Sequence, residues 1–130
     1  MLGKQSFVYV ADNSGARFVK CIQVVGKSQF KYGSIGDLLV VVVKSTRAGF
    51  RKNRQVKKGM VLKGVLIRVA SIQGLGLPVS SFSSFFFENA IILLNSKGEP
   101  LGTRVFGPSL ILPFRKKKQL KLLSMLPVAF

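Results

Sequence analysis

A small closed β-barrel followed by a short helix is the architecture this sequence predicts, and three observations predict it. Short apolar runs rich in β-branched residues recur along the chain, Gly-marked turns separate them, and one helical segment follows near the end. The chain is organised around residues 36–68, read as a strand, a cationic loop and a second strand. Residues 38–43 are an apolar run dominated by Val, and residues 61–69 repeat it with Lys63 and Arg68 interrupting. Between them lie Arg47, Arg51, Lys52, Arg54, Lys57 and Lys58, with no acidic residue. Such uncompensated charge cannot be packed inside, so the loop must project into solvent or against an anion.

The other elements follow in order. Residues 7–11 read as a strand, and Asp12-Asn13-Ser14-Gly15 as a turn in which Asx side chains bond nearby backbone and Gly supplies positive φ. A strand over 18–25 places Lys20 and Gln23 outward. Arg17, at the turn's exit, is either a phosphate ligand or a solvated turn residue. The loop 26–33 interleaves Lys27 and Lys31 with Phe30 and Tyr32. That mixture suits RNA, because bases stack while phosphates pair, although loop aromatics also plug core edges. Gly36-Asp37 turns the chain into the central strand.

Beyond Val69 the charge disappears. Gly74, Gly76, Pro78 and the Ser-rich run to Ser84 read as a ragged hairpin. Phe85, Phe86 and Phe87 cannot all face one core, since strand side chains alternate. Either a ring among Phe82, Phe85, Phe86 and Phe87 is buried against another protein, or the extra rings thicken the barrel's own core. Residues 90–94 are a strand, Asn95-Ser96-Lys97-Gly98 a hairpin turn, and 101–106 a returning strand with Thr103 and Arg104 polar. Gly107-Pro108 ends the sheet. A helix over 120–126 lies between Pro113 and Pro127, beside a second cationic cluster of Arg115, Lys116, Lys117, Lys118 and Lys121.

Composition narrows the function. The chain has 130 residues, enough for one domain, and sets 21 Lys and Arg against Asp12, Asp37, Glu88 and Glu99, for a net charge of +17. Such an imbalance asks for a polyanion, with nucleic acid ahead of an anionic membrane. No apolar run approaches the roughly 18 residues of a spanning helix. The nearest, 81–94, is broken by Ser83, Ser84, Glu88 and Asn89, so membrane insertion is not expected. Cys21 is alone and His is absent, which removes disulfides, Cys-based metal sites, the usual general base and the commonest metal ligand. No catalytic residue, metal or cofactor is expected. Gly74-Leu75-Gly76 lacks the helix that a nucleotide fingerprint requires. A strand-like pattern begins by Phe7, so no targeting peptide is expected, which means either no import or synthesis inside the compartment of use.

Several blocks occur in a telling order. They are Val10-Ala11-Asp12-Asn13-Ser14-Gly15-Ala16-Arg17, Ile35-Gly36-Asp37, Val56-Lys57-Lys58-Gly59, Glu88-Asn89-Ala90 and Gly102-Thr103-Arg104-Val105-Phe106-Gly107-Pro108. From about Phe7 to Pro127 the chain resembles the universal large-subunit ribosomal protein L-fourteen family, closest to its bacterial and organellar branch. The resemblance implies a mostly β, single-domain fold over 1–130: a small five-stranded β-barrel with a projecting β-ribbon and short C-terminal helices in about 108–130. It implies a structural constituent of the large ribosomal subunit that binds large-subunit rRNA and contributes to intersubunit bridges with small-subunit rRNA. Ribosomal proteins L-three and L-nineteen, and a ribosome-silencing factor, are the protein partners it implies. A free, non-enzymatic nucleic-acid-binding barrel would explain the charge but not the ordered blocks.

The expected rRNA-binding set is Arg17, Lys20, Lys27, Lys31, Arg47, Arg51, Lys52, Arg54, Lys57, Lys58, Lys63, Arg68, Arg104, Arg115, Lys116, Lys117 and Lys118. Two departures from the family modify the picture. Ala70-Ser71-Ile72-Gln73 stands where the family carries more cations, and Ser80-Ser81 replaces an Asp-Gly or Asn-Gly turn, while Phe86-x-x-Asn89-x-x-Ile92 keeps the rest. A protein contact gains weight there. Leu112-Pro113-Phe114-Arg115 replaces an acidic helix start, so a first short helix is expected to be broken or shifted, and the basic run after it favours a phosphate contact. The Phe-rich, Lys-rich, His-free composition suggests an AT-biased organellar gene. The expected location is the mitochondrial matrix, on the mitoribosome and organelle-encoded, with bacterial cytoplasm or plastid as the alternative.

Overall fold

The structure, a computed structural model, describes residues 2–28, 31–49, 55–74 and 83–130. Phe30, Arg51, Lys52, Arg54, Gly76, Pro78, Ser80, Ser81 and Phe82 lie outside the described residues.

Five strands close a barrel: β1 (Phe7–Val10), β2 (Ala16–Val24), β3 (Leu38–Thr46), β4 (Val61–Arg68) and β7 (Ala90–Leu94). Neighbours pair antiparallel except at the seam, where β1 runs parallel to β7 with Tyr9 opposite Ala90 and Val10 opposite Ile91. β3 is the strand that the Val run foretold, and it alternates, with Leu39, Val41 and Val43 buried and the positions between them half-covered. On β2, Ala16, Val19, Cys21 and Val24 point inward, a spacing broken by register shifts that let the strand curl round the barrel. Burial pushes the Cys21 thiol's pKa up, so it sits as a core side chain rather than a reactive one.

β4 from Gly64 onward and all of β7 are buried at every position. Alternation fails there because the C-terminal segment adds a layer over the barrel. Val105, Leu110, Phe114 and Leu122 join the same core cluster as Leu66, Ile67 and Leu93. Each such Leu, Ile or Phe contributes about 1.5–3 kcal/mol through removal from water. The Ser109 hydroxyl fastens the layer by donating to the Ile67 carbonyl at 2.6 Å.

Outside the barrel, β5 (Ile72–Gly74) pairs antiparallel with β6 (Ser83–Phe85), Ile72 opposite Phe85. These are the two ends of the expected hairpin. The C-terminal segment holds β8 (Pro108–Ser109), α1 (Ile111–Lys116), α2 (Leu120–Met125) and β9 (Val128–Ala129), with β8 and β9 parallel. Three expectations are corrected here. Residues 101–106 form no strand but a loop bridged at Asp12–Val105, in which the Asn13 side chain takes the N–H groups of Thr103 and Arg104. The sheet does not end at Gly107-Pro108, since β8 and β9 pair beyond it. The first helix is intact: Pro113 is its third residue, in the first turn, where a backbone N–H has no intrahelical acceptor to lose.

Gly64 reports how closely β4 and β7 approach. A Cβ there would lie 2.5 Å from Ile91 Cδ1 and 2.8 Å from the Ile92 carbonyl oxygen. The first neighbour can rotate away, but the second is ladder backbone. Gly64→Ala is therefore expected to destabilise the fold by about 1–3 kcal/mol through overpacking. A urea titration checks this, and an unchanged midpoint would contradict the packing described.

Candidate nucleic-acid interface

Polar locks decide which cations can face outward. Asp12 is fully buried and accepts from the Ser14 N–H at 3.0 Å and the Leu93 N–H at 2.9 Å, tying the first turn to β7. Burial raises its pKa, against which the Ser14 and Leu93 bonds work. Asn13 Oδ1 accepts from the N–H groups of Thr103 at 2.7 Å and Arg104 at 3.2 Å, and its Nδ2 donates to Thr103 Oγ1. A Cβ at Gly102 would sit 2.7 Å from that Asn13 oxygen, so the loop needs glycine there. The result presents Arg104 exposed at the barrel surface, on the same turn system that exposes Arg17.

Asp37 makes the second lock. Its carboxylate accepts from Lys27 Nζ at 2.6 Å, from Lys117 Nζ, and from the Ser34 N–H and hydroxyl. Burial alone would raise its pKa, but the bonds from Lys117, Lys27 and Ser34 outweigh that and hold it at about 2. The loop after β2 and the end of α1 are thereby pinned to one point. Lys27 and Lys117, both in the expected rRNA-binding set, are engaged within the chain.

Arg68 departs furthest from expectation. It is 5% exposed, and its guanidinium donates to the carbonyls of Phe106 at 2.9 Å and Pro108 at 3.2 Å and to Glu88 Oε1 at 2.9 Å. A Cβ at Gly107 would come within 2.5 Å of Arg68 Nη1, so the Gly-Pro pair is shaped around this side chain. Arg68 is an internal brace, turned inward because the C-terminal layer covers its end of β4. Phe86 is likewise covered by its own chain, whereas Phe85 is 53% and Phe87 92% exposed.

The remaining cations face out. Lys31, Lys57, Lys58, Lys63, Arg115, Lys116 and Lys118 are exposed, and none forms a salt bridge among the described residues. Arg47 leaves β3 half-buried, its Nη2 donating to the Tyr9 hydroxyl at 3.0 Å and the Val10 carbonyl at 3.1 Å. Reasoning from sequence missed the aromatic rings Phe7, Tyr9, Phe18 and Phe106, which lie against Lys20, Arg17 and Arg47. The signal was available, since Phe7 and Tyr9 share one face of β1 by the period of two.

A cation-coated five-stranded barrel with a C-terminal helical layer is the architecture of a small basic protein built to sit in an anionic setting. The model of the family described as ribosomal protein L14p/L23e matches residues 1–129, and the chain belongs to that family. It is accordingly a structural constituent of the large ribosomal subunit, in association with rRNA and other ribosomal proteins, in a family that is generally non-enzymatic.

The Asp37 lock has a defined pH signature. Its folded pKa of about 2 lies below the 3.8 of an ordinary aspartate, so its contribution is full above about pH 4 and fades as pH falls toward 2. Asp37→Asn is expected to lose about 2 kcal/mol at neutral pH, less at high salt, and almost nothing near pH 2. Thermal melts from neutral to acid pH check this, and a difference that persists unchanged at pH 2 would contradict it.

Proposed function

We propose that the chain binds large-subunit rRNA mainly through phosphates, using Arg17, Lys20, Lys31, Arg47, Lys57, Lys58, Lys63, Arg104, Arg115, Lys116 and Lys118, with Arg51, Lys52 and Arg54 between the two central strands. The observation that carries the reading is the set of exposed cations without carboxylate partners, on a chain whose internal locks already engage the acids. A loop with that density of charge is suited to neutralising backbone rather than reading base edges. From the family resemblance we take the protein to lie at the subunit interface of the assembled ribosome, adding to bridges with small-subunit rRNA and lying beside ribosomal proteins L-three and L-nineteen. A ribosome-silencing factor would meet the same protein. We further propose the bacterial and organellar branch and the mitochondrial matrix as its setting, on the strength of the Phe-rich, His-free composition. The protein should co-sediment with large subunits after a high-salt wash, and recovery chiefly in the free pool would overturn the proposal. With roughly six phosphate contacts from Arg47, Arg51, Lys52, Arg54, Lys57 and Lys58 alone, rRNA affinity of the isolated chain should fall at least on the order of a thousandfold from 50 to 200 mM salt.

Phe85 and Phe87 fit a protein contact better than an rRNA one. No Lys or Arg occurs in residues 69–96, and Phe85, Phe86, Phe87, Pro108 and Phe130 line a cleft of about 620 Å³ together with Arg68 and Glu88, which pair with each other. An apolar surface whose neighbouring charges are already paired offers phosphate little and accepts an apolar segment of a neighbouring ribosomal protein. A map of the assembled subunit should show the Phe87 ring buried against another protein. Contact with rRNA alone, or with solvent, would remove this assignment.

A further inference from the structure

The outer face of β1 and β2 alternates rings and cations. Phe7 lies opposite Lys20 and Tyr9 opposite Phe18 in the antiparallel ladder. Lys20 Nζ is 5.7 Å from the centroid of Phe7, and Arg17 Cζ is 5.4 Å from that of Phe18. The Tyr9 and Phe18 rings meet edge-on, centroids 5.9 Å apart, and Arg47 Cζ lies 5.8 Å from both Tyr9 and Phe106. Phe7 is 62%, Phe106 45% and Phe18 38% exposed, so these rings bury little within the chain.

Among the described residues, Arg17 and Lys20 on this face lack an anion of their own. Asp12 is bonded inside the first turn, Asp37 is held by two lysines, Glu88 braces Arg68, and Glu99 pairs with Lys121. Every acid of the chain is thereby engaged elsewhere, and Arg17 and Lys20 form no salt bridge among the described residues. The surface offers partly exposed rings, each with a cation over it, and positive charge that no carboxylate neutralises. A duplex presents phosphates but keeps its bases stacked inside, so it would use the cations and leave the rings idle. An unpaired strand uses both, laying bases on rings and phosphates on the flanking cations.

We infer that this face binds a short unpaired stretch of RNA, its bases stacking on Phe7 and Phe18 and its phosphates meeting Arg17 and Lys20. The inference rests on the rRNA-binding reading above and adds the strandedness of the RNA and the groups that sense it.

The full chain, titrated with oligouridylate and with a fully paired RNA duplex of equal phosphate number, tests this. The double variant Phe7→Leu/Phe18→Leu keeps apolar bulk without a ring. It is expected to lose on the order of tenfold in affinity for oligouridylate, with duplex affinity and salt slope unchanged. Arg17→Gln/Lys20→Gln should weaken both ligands and flatten both salt slopes. Phe7→Tyr/Phe18→Tyr restores the rings and should restore oligouridylate binding, which separates stacking from any loss of folding. Equal losses on both ligands, no loss on either, or failure of the Tyr pair to rescue would each overturn the inference. So would a map of the assembled subunit with these rings covered by protein. A chain that co-sediments with large subunits but shows no preference for the single strand defeats this inference alone. One that binds oligouridylate yet stays in the free pool defeats the ribosomal assignment instead.

Discussion

Carboxylates are the scarce resource of this molecule, and the fold is arranged around where they sit. Asp12 joins the first turn to β7, Asp37 gathers the loop after β2 and the end of α1, and Glu88 orients the guanidinium of Arg68. Glu99 reaches Lys121 on α2 at 3.2 Å. Three of these four contacts draw the C-terminal layer or its neighbouring loop toward the barrel. With 21 cations and a net charge of +17, repulsion opposes every compact arrangement. Acids placed at the junctions between layers counter it where the chain most needs to stay closed. Cations remote from those junctions stay exposed, so the surface chemistry is set by the internal locks.

Much of the barrel was legible from pattern. The β-branched runs marked the centres of β1, β2, β3, β4 and β7, because short apolar runs bounded by turn residues read as strands whether one face or both are buried. Boundaries shifted where tertiary bonds decided them: β3 runs on to Thr46, since Ser45 and Thr46 still find partners on β2. The 101–106 segment looked like a strand by composition. The N–H groups of Thr103 and Arg104 are taken by Asn13, a side chain some ninety positions earlier, and no local pattern encodes that. Pro113 was read as a helix boundary, but a first-turn proline fits inside α1.

The candidate site was legible as charge and less so as geometry. Lys and Arg announce themselves, but whether each faces in or out depends on burial. Arg68 differs from Lys63 on the same strand because the C-terminal layer covers one end of β4 and leaves the other open. The Phe triplet was resolved by alternation, with Phe86 inward and its two neighbours outward. The β1–β2 rings were overlooked because each looks unremarkable within its own strand. They become a surface only when the ladder sets Phe7 beside Lys20 and Tyr9 beside Phe18.

The parallel seam between β1 and β7 has a consequence for the order of folding. Tyr9 donates its N–H to the Asn89 carbonyl and Ala11 to that of Ile91, partners some eighty residues downstream. During synthesis from the N-terminus, β1 can pair with β2 at once, but its other edge stays open until β7 has left the ribosome. Local hairpins β1–β2–β3–β4 therefore form a curled, unclosed sheet first, and closure is a late, long-range event whose loop entropy slows it. Throughout that interval the nascent chain exposes a strand edge, the kind of surface that recruits a second strand. The dense positive charge of the unfinished barrel then has a second role: it keeps like chains apart until the seam is sealed.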